Sequence, residues 1–90
     1  MSEAQDEKLL QFPCDFPIKM MGRDQPEFRK AAVALVEQHA GEIPHEAIRT
    51  ASSRKGNFLS ITITINAKNQ KQLDDIYHDL SEHDEILVVL

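Results

Sequence analysis

A chain of 90 residues with 41% hydrophobic content is enough for one packed domain and one core. Its formal charge of -5 opposes the counterion release that gives nucleic-acid binders most of their affinity, and no apolar run approaches the roughly 18 residues that span a bilayer. Neither nucleic acid nor membrane is therefore an expected partner, and a lone cysteine, Cys14, offers neither an internal disulfide nor a thiol pair for a metal.

Residues 1–8 read as a flexible polar tail, and residues 9–90 as a single domain. The start is acidic where a signal peptide would be basic and then apolar, so a cytoplasmic, reducing setting is expected. Residues 7–12 suit a short helical turn that Pro13 ends. In residues 16–21, Phe16, Ile18 and Met20 alternate with Lys19 as in a half-buried strand, and Gly22 marks the exit.

Asp24 followed by Glu27 has the spacing of a capping box, and Pro26 costs no hydrogen bond in a first helical turn. Phe28, Ala31, Ala32, Leu35 and Val36 then recur on one helical face, which predicts a helix over 25–40 stopped by Gly41 and Pro44. Residues 47–53 suit a weakly apolar strand, and Lys55-Gly56-Asn57 suits a hairpin turn.

In residues 58–67, isoleucines at odd positions alternate with hydroxyls at even ones, the period of a strand with one wet face. Asn69 with Gln72 opens a second helix with an apolar stripe of Leu73, Ile76, Tyr77 and Leu80, and 86–90 closes as a strand. The order strand, helix, strand, strand, helix, strand predicts a ferredoxin-like βαββαβ sandwich of the α+β class, with two helices on one face of a four-stranded antiparallel sheet. Right-handed crossovers put the first and third strands in the centre. The last strand is then an apolar edge, open to a homodimer or covered by a clasp of Leu9, Leu10 and Phe12.

Residues 52–67, together with Phe12-Pro13, Lys19-Met20-Met21-Gly22, Pro26-Glu27-Phe28 and the ending 84–90, resemble the YbeD-like family of small bacterial proteins, with Arg54 as an extra residue in the turn. The resemblance implies an ACT-like, ferredoxin-like fold, similar to modules that regulate amino-acid enzymes by binding small ligands. It supplies no reaction and no catalytic residue.

If the ACT-like expectation holds, a carboxylate or phosphate ligand would sit where the first strand meets the first helix, at Gly22, Arg23 and Asp24, since glycine leaves backbone amides uncovered and a helix N-terminus favours an anion. Turn and capping chemistry accounts for the same three residues. Ser52, Ser53, Lys55, Gly56 and Asn57 offer hydroxyls, a cation and an amide to a ligand, and are also what a hairpin turn requires.

Asp74 and His78 are two metal-type ligands four apart, short of the three or four that zinc takes. Neither a metal nor another cofactor is expected. The carboxylates Asp74, Asp75, Asp79, Glu82, Asp84 and Glu85 read as a solvated helix face that also suits a basic partner.

The functional expectation is a non-catalytic regulatory module binding a small metabolite at the Gly22 loop. The alternative is a protein–protein interaction module working through a sheet edge or the acidic second helix. An acylphosphatase-like enzyme is a third reading, from Arg23 and Asn57, but Pro26 and the missing second glycine make a poor phosphate cradle.

Overall fold

The structure, a computed structural model, describes residues 10–90. The expected tail over 1–8, and Leu9 of the expected clasp, lie outside the described residues. Within them the elements are β1 (Cys14–Arg23), α1 (Pro26–Ala40), a 3-10 turn (His45–Ala47), β2 (Ile48–Ser52), β3 (Phe58–Ala67), α2 (Gln70–Glu82) and β4 (Val88–Val89). The strands form one sheet in the order β2-β3-β1-β4, antiparallel throughout, which is the ferredoxin-like arrangement with β1 and β3 in the centre.

The alternation of β3 sets the layers. Leu59, Ile61, Ile63, Ile65 and Ala67 are buried on one face, while Thr64 and Asn66 between them are exposed. Across the ladder, Ile18 faces Ile63 and Met20 faces Ile61, so both central strands present the same apolar side. Onto it α1 lays Phe28, Ala32 and Val36, and α2 lays Leu73, Ile76 and Leu80; with Ile86 these residues make one contiguous core. Each fully buried large aliphatic or aromatic side chain there contributes about 1.5–3 kcal/mol relative to an exposed one. Leu35 and Ala31 of the expected stripe are only partly buried, because the face of α1 that meets the sheet is narrower than the pattern suggests.

Several expected boundaries move. Gly22 does not leave the sheet: β1 runs two residues further and pairs Gly22 with Leu59 and Arg23 with Phe58, because β3 offers a full ten-residue ladder. A Cβ at Gly22 would stand 2.6 Å from the Glu85 carbonyl oxygen and 2.6 Å from a ring carbon of Phe28, so the position needs glycine for close packing. Asp24 does not cap α1. The N-cap position falls on Gln25, whose side chain makes no capping bond, while the Asp24 N–H donates to the Asn57 carbonyl at 3.1 Å.

At the other helix the expected cap is present. Asn69 Oδ1 accepts from the Gln72 N–H at 2.8 Å, and Gln72 Oε1 accepts from the Lys68 N–H at 2.8 Å. Gln72 Nε2 also donates to the His39 carbonyl at 2.8 Å, and His39 Nε2 lies 2.6 Å from Asp79 Oδ2, so polar ties join the end of α1 to α2. Gly41 ends α1 at φ +81°, with its N–H on the Glu37 carbonyl.

The second strand is Ile48–Ser52 rather than 47–53, since Ala47 belongs to the 3-10 turn. Residues 10–13 are irregular, not helical, and Leu10 and Phe12 pack half-buried against the core. The last strand shrinks to Val88–Val89, flanked by donation from Leu87 N–H to the Met21 carbonyl and from Leu90 N–H to that of Lys19.

Candidate functional site

Two places emerge from the fold. The first is the end of the sheet where β1 passes into α1 beside the hairpin tip. Arg23, Asp24, Gln25, Gly56, Asn57 and Phe58 line a depression of about 330 Å³ there, and Asp24, Gln25, Pro26, Arg29 and Lys30 line another of about 320 Å³. The tie from Asp24 to Asn57 fixes the junction against the hairpin. The Arg23 guanidinium sits 5.8 Å from the centre of the Phe58 ring, within cation–π range, and Arg29 reaches Asp24 at 4.0 Å.

Of the residues singled out from sequence, Arg23, Asp24, Gly56 and Asn57 thus meet at one depression. Ser52, Ser53 and Lys55 do not line it. Ser53 shapes the turn instead: its N–H donates to the Phe58 carbonyl at 2.8 Å, its Oγ accepts from the Phe58 N–H at 3.1 Å, and its carbonyl accepts from Gly56, whose φ is +78°. Gly22 lies buried beneath, with the Phe28 ring and the Glu85 carbonyl filling the space above its Cα, so that stretch of backbone is not an open cradle. Gln25, Arg29, Lys30 and Phe58 are the lining residues that sequence reasoning missed. The two cations had a legible signal, the first turns of a helix following Arg23.

The second place is the β4 side of the sheet. Leu87, Val88 and Leu90 are 50%, 43% and 62% exposed, and with Phe58 at 38% they are the exposed large hydrophobic residues among those described. Val88 is level with Met21 in the register, and Met21 with Ser60, which is level with Ala51. This row crosses the sheet face that the helices leave open. The next row on that face is Lys19, Thr62 and Arg49, with the two cations flanking the threonine. Beyond it, Asp15 accepts from Asn66 at 3.3 Å, and residues including Asp15, Arg49, Thr62 and Thr64 line a depression of about 500 Å³.

Carboxylates concentrate on one helix and the loop after it. Residues 70–85 hold six carboxylates and one lysine, all on α2 and the loop that follows it. Lys71 and Asp75 pair at 2.8 Å, so the hydrogen bond holds the Lys71 ammonium above its usual pKa and the Asp75 carboxyl below its own. Asp74 accepts from Gln70 at 3.0 Å rather than facing His78 as a chelate, and among the described residues no three groups of metal-ligating type come together. Cys14 is half-buried and level with Ala67 on β3. Partial burial raises the Tyr77 phenol above its usual pKa; its hydroxyl donates to the Leu90 carbonyl at 3.0 Å and its ring meets Phe16 edge-on at 6.4 Å. No helix among the described residues is long and apolar enough to cross a membrane.

Comparison with known proteins gives a family and a fold. The model of a family described as a protein of unknown function (DUF493) matches residues 7–90. A UPF0250 protein of Paraburkholderia phytofirmans is 44% identical over 85 residues, covering 94% of this chain and 96% of the relative. One from Neisseria gonorrhoeae is 41% identical over 91 residues, covering both chains in full, and one from Nitrosomonas europaea is 38% identical over 85 residues, covering 94% and 98%. The solution structure of protein HP0495 from H. pylori superposes with a TM-score of 0.64 at 16% identity, over 90% of this chain and 85% of that one.

Proposed function

The chain belongs to the DUF493 family, the UPF0250 or YbeD-like proteins of bacteria, and on that premise we propose that it is a non-catalytic regulatory module that binds a partner protein along the β4 side of its sheet. The observation that carries this reading is the exposure of Leu87, Val88 and Leu90 on and beside the short edge strand β4, which is hydrogen-bonded to β1 along one side only. Where the buried side chains among the described residues are all apolar, three large apolar residues left at one rim are a surface that a partner would cover. The partner is another protein or a second copy of the chain.

The test replaces Leu87 and Val88 together by aspartate and compares what copurifies with each form from the organism's own cells. The double variant should keep the melting temperature of the parent and lose its associated protein or its self-association. Retention of both by the folded variant would remove β4 as the contact.

A second reading is favoured by the convergence of Arg23, Asp24, Gly56 and Asn57 at one depression, with Arg29 and Lys30 beside it. Three cations against one carboxylate suit a small anionic metabolite. Amide shifts clustered at residues 23–30 and 56–58 during titration with carboxylate and phosphate metabolites would establish it, and shifts confined to other elements would discard it.

A further inference from the structure

The helices cover one face of the sheet, and the opposite face carries chemistry of its own. Its centre is the row in which Lys19 and Arg49 flank Thr62, which places the two cations two strand spacings apart, about 10 Å. Among the described residues no carboxylate forms an ion pair with either. Immediately beside this row, Met21 and Val88 form an apolar step, with the half-covered ring of Phe58 one row further toward the hairpin. Cations two strand spacings apart next to an apolar step match a polypeptide segment whose carboxylates alternate with apolar anchors.

The rest of the molecule argues for the same sign of partner. The six carboxylates of residues 70–85 lie on the helix side and repel an acidic segment there. On the open face Asp15 and Glu46 share the depression beyond Arg49, so the attraction is confined to the Lys19 and Arg49 row and its Met21 and Val88 side, which gives the contact an orientation. Nucleic acid and anionic lipid share the negative charge but not the need for a spaced apolar anchor, and the net charge of -5 works against both.

We infer that the open face of the sheet docks an acidic, apolar-anchored segment of a partner protein, with its carboxylates on Lys19 and Arg49 and its apolar side chain against Met21 and Val88. The inference rests on the partner-binding reading above and names the chemistry of that partner.

The test titrates the labelled full chain with a synthetic peptide of alternating glutamate and leucine and follows amide chemical shifts. Shifts should concentrate on Lys19, Met21, Thr62 and Arg49. The same peptide with glutamine for glutamate should bind about tenfold more weakly, as should the glutamate peptide against a folded Lys19→Glu, Arg49→Glu variant, because attraction at two positions is lost or reversed. A Lys19→Arg, Arg49→Lys variant should bind as the parent does.

Silence at these amides, equal binding of the glutamine peptide, or tighter binding of single-stranded DNA or of phosphatidylserine vesicles would overturn the inference. The copurification result with the Leu87, Val88 variant does not depend on this peptide. If that variant loses its partner while the open face stays silent, the edge reading stands and the acidic-segment inference falls.

Discussion

At Gly22 the physics is steric. The residue looks like a loop glycine in the sequence because the run of strand-like apolar residues stops beside it. The fold uses it where Phe28 and the Glu85 carbonyl close on the backbone. Gly22→Ala should therefore destabilise the protein by about 1–3 kcal/mol through overpacking, read as a lower urea midpoint, and an unchanged midpoint would show that Phe28 moves aside without cost. Substituting this glycine tests the core, and Arg23 or Lys30 is the position at which to test ligand binding. Tyr77 offers a second residue-scale reading, because it is the one tyrosine in a chain without tryptophan. Burial disfavours its phenolate, so its folded pKa lies above the unfolded value of about 10. Its contribution is then complete below pH of about 10 and is lost as the pH rises through the folded value, where the unfolded state has already released its proton. Spectrophotometric titration of tyrosinate should give a higher pKa in native than in denatured protein, and Tyr77→Phe should flatten the alkaline fall in stability.

At the scale of elements, legibility followed the strength of the local pattern. The alternation of Ile61, Ile63 and Ile65 with Thr62 and Thr64 fixed β3 at Phe58–Ala67, since no other period hides the isoleucines and wets the hydroxyls. The strand expected over 86–90 shortens to Val88–Val89 because an apolar run says nothing of how many residues keep regular register, and here Leu87 and Leu90 add only flanking bonds to Met21 and Lys19. The two helix starts differ for a reason that the sequence hides. Asn69 stands where the cap must be, whereas the extension of β1 to Arg23 and the placement of Pro26 as first residue of α1 put Gln25 in that place and leave Asp24 to the hairpin. Asn69→Ala should cost about 1 kcal/mol, and Gln25→Ser should add roughly 0.5–1 kcal/mol by supplying the missing acceptor, both measured by chemical denaturation. No gain at Gln25 would mean that the first turn of α1 already satisfies its donors.

For the whole molecule, topology was legible from element order, because two helices with narrow apolar stripes and one wet-faced strand leave few packings of a single sheet. The candidate sites were legible in part. Arg23, Asp24, Gly56 and Asn57 could be named one by one, but only the fold sets the junction against the hairpin tip. The row of Lys19, Thr62 and Arg49 was not legible at all, since its members come from three strands and meet only through register. The fold gathers six carboxylates on α2 and the loop after it, and strand register sets Lys19 and Arg49 beside an apolar rim on the open side of the sheet.

Photo-crosslinking in cells addresses that side most directly, with the reactive residue placed in turn at Val88 on β4 and at Gln70 at the start of α2, both exposed positions. Adducts to a defined protein, or to a second copy of the chain, from Val88 and not from Gln70 are the predicted result. Equal adducts at both positions, or none at Val88, would contradict the assignment of the β4 side as the binding surface.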